Sequence, residues 1–208
     1  MQYVDSDHPE IVAFAQRITA GASSPAEKAA RLFEAVRVLV RYDPYGFSLD
    51  PDAFRTSAVL HAERSWCVPK AVLLCAVVRA VGIPAKLGFA DVQNHFQSEK
   101  LMARMGTDIF MWHGYVAMEI DGRWLKATPA FNKTLCERMG VEPLAFEGQH
   151  DALFQQFTGD GRRYMEYLVD RGTYDDLPLE AIMASFAEHY PGLASWHPGE
   201  KDAMFSAG

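Results

Sequence analysis

A cysteine stands directly before a long apolar segment, and the spacing of that segment is helical. Apolar residues after Cys67 recur every three or four positions as far as residue 78. Pro69 is compatible with the first turn of a helix, and Gly82 followed by Pro84 is typical of a helix end. Cys67 is therefore predicted at the helix start, where unpaired backbone N–H groups and the helix dipole favour a thiolate. Lys70, one turn on, is expected to act in the same direction, which makes Cys67 a candidate nucleophile.

A histidine that could serve as the base lies on one strand of a predicted hairpin. Asp121-Gly122 separates two strand-like segments, which is a strong signal for a two-residue loop. Such a loop pairs Ile120 with Arg123 and puts Thr128 on the same face as His113. The two would be diagonal neighbours, with their Cα atoms roughly 7–8 Å apart. Asp121 lies about 26 Å from His113 along the strand, so it belongs to the turn and is not the partner of the histidine.

These residues occur in a recognisable order, and the stretches that carry it are Trp66-Cys67, Arg79-Ala80-Val81-Gly82-Ile83-Pro84-Ala85, His113-Gly114-Tyr115 and Thr128-Pro129-Ala130. With them the chain resembles the transglutaminase-like superfamily, whose core is shared with papain-type cysteine proteases. Residues 88–95 and 126–132 resemble, more narrowly, a bacterial subgroup of that superfamily. The resemblance implies Cys67 as the nucleophile and His113 as its general base. It also puts Thr128 where the family usually carries an aspartate before proline.

The third member of the site is open to more than one assignment. A threonine hydroxyl at Thr128 can orient an imidazole, but it brings no charge to stabilise an imidazolium. Asn132 shares the strand parity of His113, and Asp108 lies five residues upstream of the histidine. Either of them could supply the orienting group instead.

Three further residues are candidates for lining the site. Trp66 could wall the acyl site or pack in the core, while Asn94 and His95 could line the site or hold a loop. A zinc site built from Cys67, His95 and His113 lacks the paired Cys-x-x-Cys or His-x-x-x-His spacing of such sites. No metal and no cofactor are therefore predicted.

The composition limits the classes of function. Hydrophobic residues make up 49% of the 208 residues and charged residues 23%, as in an ordinary globular protein. A net charge of −7 without a Lys/Arg cluster argues against nucleic-acid binding. The longest uninterrupted apolar run, residues 71–78, is far shorter than the ~20 residues of a spanning helix, and the N-terminus lacks a signal pattern. We expect a cytoplasmic protein, associated with neither nucleic acid nor membrane, whose three cysteines are reduced.

Helical and strand patterns follow one another in blocks, which favours an α+β fold with N-terminal helices packed on an antiparallel sheet. Helices are predicted at about 8–20, 24–40, 65–82, 134–139 and 179–190, with a short one after Asp50-Pro51. A strand is predicted at 85–92, a loop with a helical turn over the site at 94–110, and a second hairpin around Gly159-Asp160-Gly161. The tail from Pro191 is expected to be loose. We expect one transglutaminase-like domain over 1–208, with its core at about 25–135 and a C-terminal hairpin and helix at about 150–192.

Two functional hypotheses follow. The first is covalent acyl transfer on peptide or other amide substrates, in which Cys67 forms a thioester and His113 acts as the base. Hydrolysis is favoured over cross-linking in this hypothesis. The second is a binding or scaffold module that keeps the fold but has lost turnover. It is suggested by the uncharged Thr128, which cannot stabilise an imidazolium.

Overall fold

The secondary structure is given by a computed structural model, which describes residues 2–48, 50–154 and 156–190, together with Gly192 and Phe205. The helices are α1 (Pro9–Thr19), α2 (Pro25–Leu39), α3 (Thr56–Leu60), α4 (Cys67–Ala80), α5 (Glu99–Met105), α6 (Lys133–Met139) and α7 (Leu179–His189). The strands are β1 (Arg41–Tyr42), β2 (Arg64–Ser65), β3 (Ala85–Asn94), β4 (Ile109–Ile120), β5 (Arg123–Ala127) and β6 (Met165–Tyr174). Short 3₁₀ turns cover Pro44–Gly46 and Pro51–Phe54.

Helix α4 forms the middle layer of the molecule. It contacts α1, α2 and α3 on one side and strands β3 and β4 on the other. Every residue from position 67 to position 78 is buried, which fits a helix that is apolar on all of its faces. The cysteine that begins this helix is therefore fixed by contacts on both sides.

A four-stranded antiparallel sheet in the order β5-β4-β3-β6 carries the second half of the site. β4 and β5 are joined at Asp121 and Gly122, whose φ angles of 50° and 76° are those of a tight two-residue hairpin loop. The ladder pairs Ile120 with Arg123 and continues to Val116 and Ala127. The predicted register of this hairpin is confirmed.

The second predicted hairpin is wrong in extent. Phe157 and Arg163 form an isolated antiparallel bridge around the predicted turn, but the strand that follows is β6, which pairs with β3. The predicted turn is present, but the sequence of β6 carries no signal for its long-range partner, β3. The predicted loose tail lies outside the described residues, apart from Gly192 and Phe205.

The predicted α+β class, with N-terminal helices on an antiparallel sheet, is confirmed. The segment over 94–110, predicted as a loop with a helical turn, contains α5 and the start of β4. Across the described ranges, every helix is too short or too polar to cross a bilayer.

Candidate functional site

Cys67 is the first residue of α4, as the sequence predicted. The residue before it, Trp66, makes no side-chain capping bond to the first turn, so the N–H groups at this helix start remain available. The backbone N–H groups of Gly114, Val68 and Cys67 itself act to lower the pKa of the Cys67 thiol. The thiol thus lies in a cluster of backbone donors from α4 and β4.

Gly114 is the point at which β4 meets the start of α4. A Cβ atom at this position would lie 3.1 Å from the Cβ of Ala71 and 3.2 Å from both the carbonyl oxygen of Cys67 and the Cα of Val68. The strand can approach the helix this closely because glycine has no side chain. His113 precedes Gly114, so its Cα lies about 3.8 Å from the glycine that touches Cys67.

The imidazole of His113 is held by a chain of two hydrogen bonds. Its Nε2 lies 3.0 Å from Oγ1 of Thr128, and the same hydroxyl lies 3.0 Å from the carbonyl oxygen of Gly114. A carbonyl can only accept, so the single hydroxyl proton of Thr128 is donated to Gly114. Oγ1 must then accept the proton of Nε2–H. This arrangement assigns the proton of the neutral imidazole to Nε2 and leaves the lone pair on Nδ1.

Burial sets the charge state of both groups. Desolvation raises the pKa of the Cys67 thiol to about 11, although the three backbone N–H groups act in the opposite direction. Desolvation also lowers the pKa of His113 to about 3. Cys67 is only 4% exposed and His113 only 3%. The backbone N–H groups at the helix start favour the thiolate, as expected, but burial outweighs them, so near neutral pH the thiol and the imidazole are both uncharged.

Lys70 is not directed at Cys67, so the prediction that it favours the thiolate is wrong. Its side chain is fully buried, and its ammonium donates to the carbonyl oxygens of Arg37, at 3.1 Å, and of Val40. These carbonyls lie at the C-terminal end of α2, where a cation is favoured by the helix dipole. Lys70 therefore caps α2, and its spacing along α4 alone could not indicate this.

A small apolar cavity lies beside Cys67, which forms part of its lining. Its walls are mainly aromatic and come from six rings, those of Tyr42, Phe47, Trp66, Phe110, Phe186 and Tyr190. Trp66 is fixed there by Phe47 and Phe186, whose ring centroids lie 5.4 Å and 5.7 Å from its own. Trp66 was a candidate either for the wall of the site or for the core. In the structure it packs in the core and also lines the cavity. The segment over 94–110, which was expected over the site, contributes Met105 and Phe110 to the lining, whereas the contribution of α7 has no signal in its own sequence.

The other candidates for the third group lie elsewhere. Asn132 uses its Oδ1 to accept the N–H of Tyr42, at 3.1 Å, and its amide to reach Oγ1 of Thr134, at 2.6 Å. Asp108 accepts a bond of 2.7 Å from the side chain of Gln93. Thr128 is therefore the residue that the structure brings to His113.

Asn94 and His95 also have partners outside the cavity. Asn94 is buried and accepts the N–H of Phe96 at 2.9 Å, which holds the turn after β3. His95 points towards Glu166, with 3.7 Å between Nε2 and the nearest carboxylate oxygen. Neither residue lines the cavity beside Cys67.

The backbone next to His113 is braced by an ion pair that the sequence did not reveal. Trp112 has φ of 57°, in the left-handed region that bulky residues rarely adopt. Its N–H donates to Oδ1 of Asp91 at 3.0 Å, and that carboxylate accepts two bonds from Arg171 at 2.6 Å and 2.8 Å. Arg171 lies 80 positions from Asp91, and no local sequence signal links the two residues.

Cys67, Cys75 and Cys136 are all buried free thiols. Among the residues that the structure describes, no three His, Cys, Asp or Glu side chains are grouped so as to hold a metal ion.

The fold and the site define a class of α+β protein in which a cysteine begins a buried helix and a histidine lies on the adjacent antiparallel sheet. The family model described as the transglutaminase-like superfamily matches residues 12–129, which is more than half of the chain. The chain belongs to the transglutaminase-like superfamily. The predicted resemblance is therefore confirmed.

Two solved structures are similar to this chain. The "putative cysteine protease" from Cytophaga hutchinsonii is 16% identical, with a TM-score of 0.50 over 85% of this chain and 45% of that chain. The "putative protease" from Parabacteroides distasonis is 14% identical, with a TM-score of 0.44 over 75% of this chain and 30% of that chain. The chain thus spans less than half the length of either protein, and at these identities the first likeness shows the fold alone. A search of curated proteins found no match.

Proposed function

We propose that this protein catalyses cysteine-dependent acyl transfer on peptide or other amide substrates, with hydrolysis favoured over cross-linking. Cys67 is the nucleophile, His113 the general base and Thr128 the residue that orients the imidazole. The observation that carries the proposal is the hydrogen-bond chain from His113 through Thr128 to the Gly114 carbonyl. It leaves Nδ1 as the proton acceptor, on the residue next to the glycine that touches Cys67.

The reaction begins from an uncharged pair. The Cys67 sulfur attacks the carbonyl carbon of the amide while Nδ1 of His113 takes the thiol proton. Because burial disfavours both the thiolate and the imidazolium, proton transfer accompanies the attack and does not precede it. The imidazolium then gives its proton to the leaving nitrogen, the carbon–nitrogen bond breaks, and a thioester remains on Cys67. Water, deprotonated by Nδ1, attacks the thioester, which releases the acid and returns the proton to the sulfur.

The negative charge on the tetrahedral intermediate is stabilised by backbone donors at the helix start. The N–H groups of Cys67, Val68 and Gly114 act on the sulfur and lower its pKa, and in the proposed reaction they also serve the oxygen on the attacked carbon. Preorganised donors of this kind are typical of oxyanion holes.

The proposal is tested with a peptide-amide library on the wild-type protein and on Cys67→Ala. We expect release of amine by the wild type only, together with a mass increase on Cys67 equal to the acyl group. Cys67→Ser serves as the conservative control, because it retains a weak nucleophile. Turnover that survives in Cys67→Ala would refute the assigned nucleophile.

The alternative is a binding or scaffold module, and a specific observation favours it. Thr128 supplies no charge to His113, and the imidazolium is strongly disfavoured by burial. In that case the wild type and Cys67→Ala would both lack turnover, yet both would bind the same peptides in a calorimetric titration. If the wild-type protein also showed no mass increase from an acyl group on Cys67, the result would favour the binding module over the enzyme.

A further inference from the structure

The walls of the cavity beside Cys67 are uncharged. None of the described residues that line it carries a formal charge near neutral pH. Burial raises the pKa of Tyr42 well above its ordinary value and raises that of Tyr190 as well, so both phenols stay neutral. Ligand pockets are commonly lined in this way, by apolar and aromatic side chains.

The hydroxyl of Tyr190 is already engaged by the protein. It accepts the N–H of Met111 at 2.6 Å and donates to the carbonyl oxygen of Ile109 at 2.9 Å. These bonds tie the residue after α7 to the start of β4 and turn the aromatic ring towards the cavity wall. A polar or charged ligand group would give up its hydration here without receiving a partner from Tyr190.

We propose that this cavity binds an uncharged apolar side chain, aromatic or branched aliphatic, on the acyl side of the amide that Cys67 attacks. This inference rests on the proposed function, because it names the substrate class of the same site. The six aromatic walls define the specificity, and the two from the C-terminal segment, Phe186 and Tyr190, make that segment part of substrate recognition.

The test uses chloromethyl-ketone probes that differ in one side chain: phenylalanine, leucine, alanine, glutamate or lysine. The rate of covalent modification of Cys67 is followed by intact mass, and each rate is divided by that of iodoacetamide, which has no side chain to bind. We expect the phenylalanine and leucine probes to react at least about tenfold faster than the alanine probe, since burial of a large apolar side chain is worth about that factor or more. The glutamate and lysine probes are expected to be slower than the alanine probe.

A matched variant places a charge in the wall. Phe110 is only half-buried, so Phe110→Lys is expected to fold, to lose the preference for phenylalanine and to gain rate with glutamate. Circular dichroism melting checks the fold. Equal rates for all side chains in the wild type would overturn the inferred substrate class while leaving the nucleophile intact. Selective labelling without amide turnover would instead refute the proposed function and keep the binding site.

A second inference comes from the ion pair beside the site. β3 pairs Ala90 with His113 and Val92 with Phe110, so Asp91 lies opposite two residues of β4, in a β-bulge. Trp112 holds the strained position of this bulge, and the guanidinium of Arg171 lies 4.6 Å from the centre of its ring. A left-handed conformation persists only where the surroundings enforce it.

We infer that Asp91 and Arg171 are positioning residues for His113. Asp91 fixes the backbone of Trp112, Arg171 holds both the carboxylate and the indole, and the bulge thereby aims the next side chain at the Thr128 hydroxyl. The pair acts through the backbone and does not touch the reacting atoms. Bulges near active sites commonly redirect a side chain in this way.

The test is the titration of His113 by ¹⁵N-labelled imidazole NMR in the wild type, Asp91→Asn and Arg171→Gln. The wild-type ring is expected to stay neutral through pH 5, whereas both variants release the ring towards solvent and shift its midpoint upwards by at least one pH unit. Glu166 lies on the same strand as Arg171 and accepts a 2.8 Å bond from Arg163. Glu166→Gln is therefore the matched control and should leave the His113 midpoint unchanged. Variants with a lowered Tm but an unmoved His113 titration would reduce the ion pair to a purely structural role.

Discussion

Asp91 and His113 are buried polar residues close to each other on the sheet, and their hydrogen-bond partners differ in charge. Asp91 receives a full counter-charge from Arg171 through two short hydrogen bonds. His113, whose backbone directly follows the residue that Asp91 holds, receives only the neutral hydroxyl of Thr128. The same region of the sheet therefore contains one charge that is compensated and one titratable group that is kept uncharged.

This difference bears on the mechanism. A carboxylate beside the imidazole would favour a resting ion pair with the thiol, whereas a hydroxyl fixes the tautomer without stabilising the charge. The compensated pair instead supports the backbone. In the proposed mechanism the hydrogen bonds therefore fix the position of the imidazole, and His113 becomes charged only during the reaction.

Lys70 sharpens the comparison, because it is a buried cation whose partners are carbonyl groups. Burial, with a smaller effect of Arg37, lowers its pKa to about 7. The unfolded chain, in which the lysine pKa is about 10.4, binds more protons between the two values. Stability from this group should therefore rise with pH by about 2 kcal/mol between pH 7 and pH 9, and show little slope below about pH 6. Urea unfolding of the wild type and of Lys70→Met measures this, and the same pH slope in both would contradict it.

Thr128→Val removes the hydroxyl while keeping the shape of the side chain. Nε2–H and the Gly114 carbonyl both lose their partner, so the tautomer is no longer fixed. We expect a single-turnover acylation rate lower by about 10²-fold, with little change in substrate binding. Thr128→Ser, which retains the hydroxyl, should recover most of the rate. An unchanged acylation rate in the valine variant would remove Thr128 from the mechanism.

Two glycines separate stability from function. A Cβ at Gly114 would meet Ala71, Cys67 and Val68 at 3.1–3.2 Å, whereas one at Gly88 would lie 2.0 Å from the ring of Tyr115. Gly114→Ala should cost about 1–3 kcal/mol of stability and lower the reactivity of Cys67. Gly88→Ala should destabilise the protein at least as much but spare the reactivity of the fraction that remains folded. Thermal melts measure the loss of stability, and the alkylation rate of Cys67 measures its reactivity. An equal loss of reactivity in both variants would contradict the special role of Gly114 beside Cys67.

Much of the site was predictable from local patterns. The Asp121-Gly122 loop fixed the register that brings Thr128 to His113, and Pro69 with Gly82 fixed the helix that begins at Cys67. What escaped prediction depends on distant segments. Burial between two layers raises the pKa of Cys67, and Lys70 finds its carbonyl partners thirty or more positions away, at the C-terminal end of α2.

Thr128→Asp places a carboxylate beside His113, so that a charged imidazole would have a counter-charge. The added carboxylate should raise the pKa of His113 and favour the thiolate of Cys67, so that iodoacetamide reacts about tenfold faster near pH 7. The wild-type protein, whose thiol has a pKa of about 11, should react more slowly than a model thiol at that pH. Thr128→Asn is the uncharged control. Equal rates for the aspartate and asparagine variants would show that a negative charge at position 128 does not control the reactivity of Cys67.

The imidazole of His113 offers the most direct test of the neutral pair. Long-range ¹H–¹⁵N correlation spectra of the wild-type protein at pH 7 distinguish the two tautomers and the charged ring. We predict a neutral imidazole with its proton on Nε2, and a change at Nδ1 when Cys67 is alkylated. A charged ring, or a proton on Nδ1, would contradict the account.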